Sequence, residues 1–147
     1  MITAASNSRI KRLVQLNQKS KLRRTEDVFL AEGVKMFLEA PRKQLQEVYV
    51  SESFLEKCSC REHLEEVGYE VVSDSVFSKI SDTCTPQGVL CVLKQFHYNI
   101  EEMLRDKAPL FLLLENIQAP GNLGTMLRTG EGAGVSGIIM SRDTVDL

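Results

Sequence analysis

Apolar residues recur along this chain in two alternating periods, one of helices and one of strands. Ile10, Leu13 and Val14, placed behind the capping oxygens of Ser6, Asn7 and Ser8, predict one face of a helix. Val28-Phe29-Leu30-Ala31 is a short buried-strand pattern that ends at Glu32-Gly33. Val34, Phe37 and Leu38 predict a helix to Ala40, closed by Pro41, and Glu47-Val48-Tyr49-Val50-Ser51 a second strand. Residues 52–67 read as mostly helical and stopped by Gly68, with Tyr69-Glu70-Val71-Val72 a third strand. Asp74 is expected to cap a short helix through Ile80, and Gly88–Lys94 is a fourth strand.

Strands that alternate with helices of two or three turns predict an α/β fold with a parallel or mixed sheet covered on both faces. Residues 1–95 read as one such domain, and 96–108 as a linker with a helical turn near Ile100–Leu104. Residues 109–147 open a second sheet: a strand at Leu110–Leu114, a helix over 121–134, and a strand at Ser136–Met140. A lone strand–helix–strand cannot bury both faces of its sheet.

Composition is that of an ordinary globular chain, with 43% hydrophobic and 26% charged residues and no Trp. No run approaches the ~20 apolar residues that cross a bilayer, and the start lacks a basic then apolar leader, so no membrane role and a cytoplasmic location are expected. Charge changes the picture more. Residues 1–25 hold seven bases (Arg9, Lys11, Arg12, Lys19, Lys21, Arg23 and Arg24) and no acid, whereas the remainder holds eleven bases and twenty acids. That polarity fits either a face that meets a nucleic acid or a solvated amphipathic helix.

Cys58, Cys60, Cys84 and Cys91 are expected as free thiols, Cys91 within an apolar run. Cys58-x-Cys60-x-x-His63 offers three zinc donors but no fourth, so no metal site is expected. Gly132-Ala133-Gly134-Val135-Ser136-Gly137 fits the dinucleotide fingerprint formally. These glycines close a helix and lead into a strand, so the dipole has the wrong sign for phosphate, and Gly134 reads as a helix C-cap.

The chemistry concentrates in Leu110–Leu114 followed by Glu115-Asn116-Ile117-Gln118-Ala119-Pro120-Gly121-Asn122-Leu123-Gly124-Thr125-Met126-Leu127-Arg128-Thr129. An apolar strand ends in a Pro-Gly turn, and a helix follows on the sheet edge where α/β proteins bind ligands. Asn122 fits either a helix cap or a catalytic amide. Arg128, about one and two-thirds turns later, fits either a catalytic cation or a surface charge.

That run, continued by Ala133-Gly134-Val135 and Thr144-Val145-Asp146-Leu147, resembles the first motif of the SpoU (TrmH-type) RNA ribose 2′-O-methyltransferases of the SPOUT superfamily. Phe29-Leu30-Ala31-Glu32-Gly33 and Thr85-Pro86-Gln87-Gly88-Val89 resemble the two signatures of that family's substrate-binding domain, and Ile2-Thr3 with Asn7-Ser8-Arg9-Ile10-Lys11 its opening.

The resemblance implies a small ribosomal-protein-like α/β RNA-binding domain, then the first β–α–β of an incomplete SPOUT (α/β knot) domain. It implies methyl transfer from S-adenosylmethionine to a ribose 2′-hydroxyl of rRNA or tRNA. Asn122 matches the family's active-site Asn and Arg128 its proposed activator of the hydroxyl. Orienting the ribose and stabilising alkoxide charge asks less of a guanidinium than acting as a base. Glu115 matches an acidic position that either orients Arg128 or caps the strand end. The basic arm would meet phosphates. Glu32, Gly33, Gln87 and Gly88 would lie at turns where backbone approaches RNA, or the glycines only permit the turns.

Gly130 and Gly132 depart from the family's helix formers, each costing about 1 kcal/mol. The family's second and third motifs are not among these residues. The resemblance therefore implies that the cofactor pocket lies beyond Leu147, that the homodimer is doubtful for this chain, and that the chain alone is inactive. The alternatives are a non-enzymatic RNA-binding module and a nucleotide-binding α/β protein.

Overall fold

The first helix starts where the capping oxygens predict it. Asn7 Oδ1 accepts from the Arg9 N–H at 2.9 Å, and α1 runs from Ser8 to Gln18. The computed structural model describes residues 1–105 and 107–145. Asp106 in the linker, and Asp146 and Leu147 at the end of the resembling stretch, lie outside the described residues.

The chain forms two compact units, Met1–Phe96 and His97–Leu147. In the first, α1 is followed by α2 (Ser20–Glu26), β1 (Val28–Glu32), α3 (Val34–Glu39), β2 (Leu45–Ser51), α4 (Glu52–Lys57) and α5 (Arg61–Val67). Then come β3 (Glu70–Val72), α6 (Asp74–Ile80) and β4 (Val89–Lys94). The mostly helical stretch over 52–67 is two helices, because the chain bends at Cys58–Cys60. The cap of α6 is Ser73 and not Asp74; Asp74 is the first helical residue.

The sheet has the order β1-β4-β2-β3, with β4 antiparallel to both neighbours and β3 parallel to β2. Both its faces are covered, as the strand patterns require. Leu90 and Val92 of β4 join Ile10, Leu13 and Leu16 of α1 and Phe77 and Ile80 of α6. Val89, Cys91 and Leu93 turn the other way, onto Phe37 of α3 and Leu64 of α5. Phe37 and Phe77 are almost wholly buried, each contributing about 1.5–3 kcal/mol.

The second unit holds α7 (Ile100–Met103), β5 (Phe111–Leu114), α8 (Pro120–Gly132) and β6 (Gly137–Met140), with β5 parallel to β6. Gly134, at φ +76°, ends α8: its N–H reaches Glu131 O at 3.0 Å and the Val135 N–H reaches Gly130 O at 3.0 Å. These paired bonds make a Schellman end, so the glycine run is a helix terminator, as its order in the sequence requires.

Candidate nucleic-acid interface and candidate active site

β1 ends and β4 begins at the same edge of the first sheet, which brings Glu32-Gly33 against Gln87-Gly88. Gln87 Oε1 accepts from the Val34 N–H at 3.0 Å, so a side chain from one signature closes the start of the helix after the other. Its NH2 group has no partner among the described residues. Glu32 is engaged inside the protein: its carboxylate accepts from Ser81 Oγ at 2.8 Å and Thr83 Oγ1 at 2.8 Å, holding the loop that leads to Gln87. Gly88 has a positive φ of +85°, and a Cβ there would sit 2.5 Å from Phe54 Cβ and 2.8 Å from Ser51 Oγ. The turn requires that glycine for packing as well as conformation.

The basic arm does not present one face. Arg9 and Arg12 project from the flank of α1 that meets acids: Arg9 Nη1 lies 2.8 Å from Glu70, and Arg12 bridges Glu26 and Glu47. The two arginines line an open groove of about 550 Å³ beside β2 and β3 together with Glu47 and Glu70. Arg23 is turned back on α1, donating to Leu16 O at 2.8 Å and Asn17 O at 3.1 Å, where the helix dipole favours a cation. Arg24 donates to Ser20 Oγ at 3.2 Å, and Lys11, Lys19 and Lys21 are exposed without an ion pair among the described residues.

Asn17 Nδ2 donates to Ile80 O at 2.5 Å, and the next residue, Ser81, bonds to Glu32. α1 is thereby held against the start of the loop after α6, whose Ser81 reaches the carboxylate at the end of β1. Lys79, which charge counting over residues 1–25 missed, shares a hollow of about 290 Å³ with Lys11. The hydroxyls of Ser51, Ser53, Ser81 and Thr83 were missed as well; their only sequence signal is that Ser and Thr cluster after strands. Ser53 donates from both its hydroxyl (2.7 Å) and its N–H (3.3 Å) to Asp74, holding that carboxyl below the usual range.

In the second unit, the loops after the parallel β5 and β6 come together at the strands' C-terminal ends. Asn116, at φ +54°, donates its N–H to Ser141 Oγ at 2.9 Å, and the Val145 N–H bonds to Ile117 O at 2.8 Å. α8 begins at Pro120 with Ala119 as its cap position, so Asn122 is the third helical residue and not a cap. Its amide is exposed and has no hydrogen-bond partner among the described residues. Arg128 folds back along the helix, as long helical side chains do. Its Nη1 would lie 3.3 Å from a Cβ on Gly124, and its Nη2 donates to Thr125 Oγ1 at 3.3 Å. The guanidinium therefore turns toward the helix turn that bears Asn122. Glu115 is exposed and makes no ion pair with Arg128 among the described residues.

The thiols behave as the sequence indicates for Cys91, whose burial pushes its pKa up to about 12. Cys58 and Cys60 are half-buried and free. The His63 ring packs edge-on against Phe37, with Nε2 buried and unpartnered. Among the described residues, no three His, Cys, Asp or Glu side chains converge on a metal position, and no helix is long and apolar enough to cross a membrane.

Along the chain, a helix-covered mixed sheet bearing cationic helices is followed by a strand–turn–helix that carries Asn122 and Arg128. Residues 7–91 match the family described as the MRM3-like substrate binding domain. The chain is 34% identical over 99% of its length to an uncharacterised tRNA/rRNA methyltransferase, slr1673, of Synechocystis, of which it covers 54%. It is 32% identical, again over 99% of its length, to the 23S rRNA guanosine 2′-O-methyltransferase RlmP of Bacillus subtilis, of which it covers 56%. An AdoMet-bound rRNA methyltransferase from Sinorhizobium meliloti shares its fold, with a TM-score of 0.82 over 99% of this chain and 55% of that one, at 24% identity. The chain thus belongs to the SpoU (TrmH-type) RNA methyltransferase family, and spans about half the length of the curated relatives it matches.

Proposed function

We propose that this chain carries the RNA-binding part and the first catalytic motif of an S-adenosylmethionine-dependent RNA ribose 2′-O-methyltransferase acting on rRNA or tRNA in the cytoplasm. The observation that carries the reading is that Lys11, Lys19 and Lys21 stay exposed without an ion pair among the described residues, whereas Arg9, Arg12 and Arg23 are engaged by internal partners. Lysines without acid partners meet phosphates and give affinity that falls with salt. The Gln87 amide and the adjoining backbone supply hydrogen bonds that phosphate contacts cannot.

At the second unit, Arg128 would hold the ribose and stabilise charge developing on its 2′-oxygen, with Asn122 as a neutral hydrogen-bonding partner. Glu115, Asn122 and Arg128 are all exposed. A methyl donor held by them alone would stay hydrated, so these side chains do not by themselves form its pocket. S-adenosylmethionine and a homodimer belong to this reading for the complete enzyme. The 147-residue chain by itself is expected to bind RNA without methylating it. Turnover in a methylation assay of this chain would contradict that.

The RNA reading is tested by affinity for a transcribed RNA stem–loop measured against salt. Changing Lys11, Lys19, Lys21 and Arg24 to Gln should flatten the slope by about 0.7–0.9 for each phosphate no longer neutralised, whereas Arg9→Gln should leave it. A slope untouched by the fourfold change would overturn the reading.

A further inference from the structure

Helix α2 carries Lys21 and Arg24 and follows directly on Lys19, yet little apolar burial holds it. It has seven residues and none of them is buried; only Leu22 packs partly on the core. A helix this short has no stability of its own in water, so its position rests on polar contacts. From its middle, Arg23 ties it to the carbonyls that end α1. At its end, Glu26 accepts from Arg12 Nε at 2.7 Å and Nη2 at 2.6 Å. Arg12 Nη1 donates to Glu47 Oε1 at 2.8 Å, and the other oxygen of Glu47 accepts from the Tyr49 hydroxyl at 2.5 Å. Tyr49 is 1% exposed, so this chain of bonds is anchored in the core of β2.

We propose that Arg12, Glu26 and Glu47 are positioning residues that hold the cationic helix α2 where RNA meets it, with Arg12 itself not a phosphate ligand. The proposal rests on the RNA-binding reading above and reverses the sign that charge alone gives. Glu26→Gln adds one unit of positive charge beside a basic segment, which by long-range electrostatics strengthens RNA binding. If the clamp governs, the same change weakens binding, because α2 must then be ordered when RNA arrives.

The experiment uses the 147-residue chain, with a transcribed RNA stem–loop as probe, and reads affinity against salt together with amide hydrogen exchange. Glu26→Gln and Arg12→Lys are each expected to weaken binding roughly three- to tenfold without changing the salt slope. They are also expected to speed exchange in α2 and leave β4 protected. Arg12→Lys keeps the charge and removes the fork, so a direct phosphate contact would survive it and the clamp would not. Equal or tighter binding by Glu26→Gln overturns the proposal. So does a slope that falls by about one phosphate in Arg12→Gln with α2 exchange unchanged. If the wild-type chain shows no salt-dependent RNA binding while Glu26→Gln still loosens α2, the RNA-binding reading itself fails and the clamp is structural only.

Discussion

Gly88 carries more constraint than any other position at the signature corner. Its left-handed backbone and the 2.5 Å approach of Phe54 Cβ to a hypothetical side chain mean that Gly88→Ala strains backbone and packing together. The expected destabilisation is roughly 2–4 kcal/mol, read as a lowered midpoint in urea unfolding. Asp74, a few residues after β3, behaves oppositely, since it is exposed and tunable. Hydrogen bonds from Ser53 hold its carboxyl below the ordinary value of 3.8. The stability it contributes is therefore present above the unfolded value and is lost as pH falls through the lowered folded value. Carbon-13 titration of the Asp74 carboxyl should show Ser53→Ala moving its pKa upward, and an unmoved titration would remove Ser53 as the cause.

Among the elements, α8 places Asn122 outside the capping role. Because Ala119 holds the cap position and Asn122 the third helical position, the Asn122 side chain closes no backbone group of the helix start. Asn122→Ala should leave α8 protection in hydrogen exchange within about 0.5 kcal/mol of wild type, whereas deleting a true cap costs about 1 kcal/mol. A change of the larger size would restore the capping role. The same helix shows how Gly124 matters without any special dihedral: its missing side chain leaves room for the Arg128 guanidinium to lie back along the helix.

For the chain in its entirety, one consequence is unbalanced apolar surface. Leu113 and Ile139 are register partners on β5 and β6, and they are 71% and 42% exposed. Paired, exposed strand residues on an apolar face favour self-association. Sedimentation velocity of the 147-residue chain should show concentration-dependent association that Leu113→Lys reduces; a monomer at all concentrations would contradict this.

Much of the fold was legible because its signals are local. The continuous apolar run Val89–Leu93, the capping Asn7 and the terminating Gly134 each act within a few residues, so local pattern and turn chemistry reveal them. The motif around Asn122 and Arg128 was legible for the same reason, being one contiguous strand, turn and helix. Pairing across the chain was not. Charge counting assigned seven cations to one basic arm, but folding turned Arg9 and Arg12 onto Glu70, Glu26 and Glu47, and Arg23 onto the end of α1. It also committed the Glu32 carboxylate to Ser81 and Thr83 and brought Lys79 beside Lys11. Residue order alone is enough to say which segments become strands and helices, and that an Asn and an Arg share one turn-and-helix. Which charges are left for a partner emerges only once the chain is folded, because an ion pair depends on distance in space and the sequence records only distance along the chain.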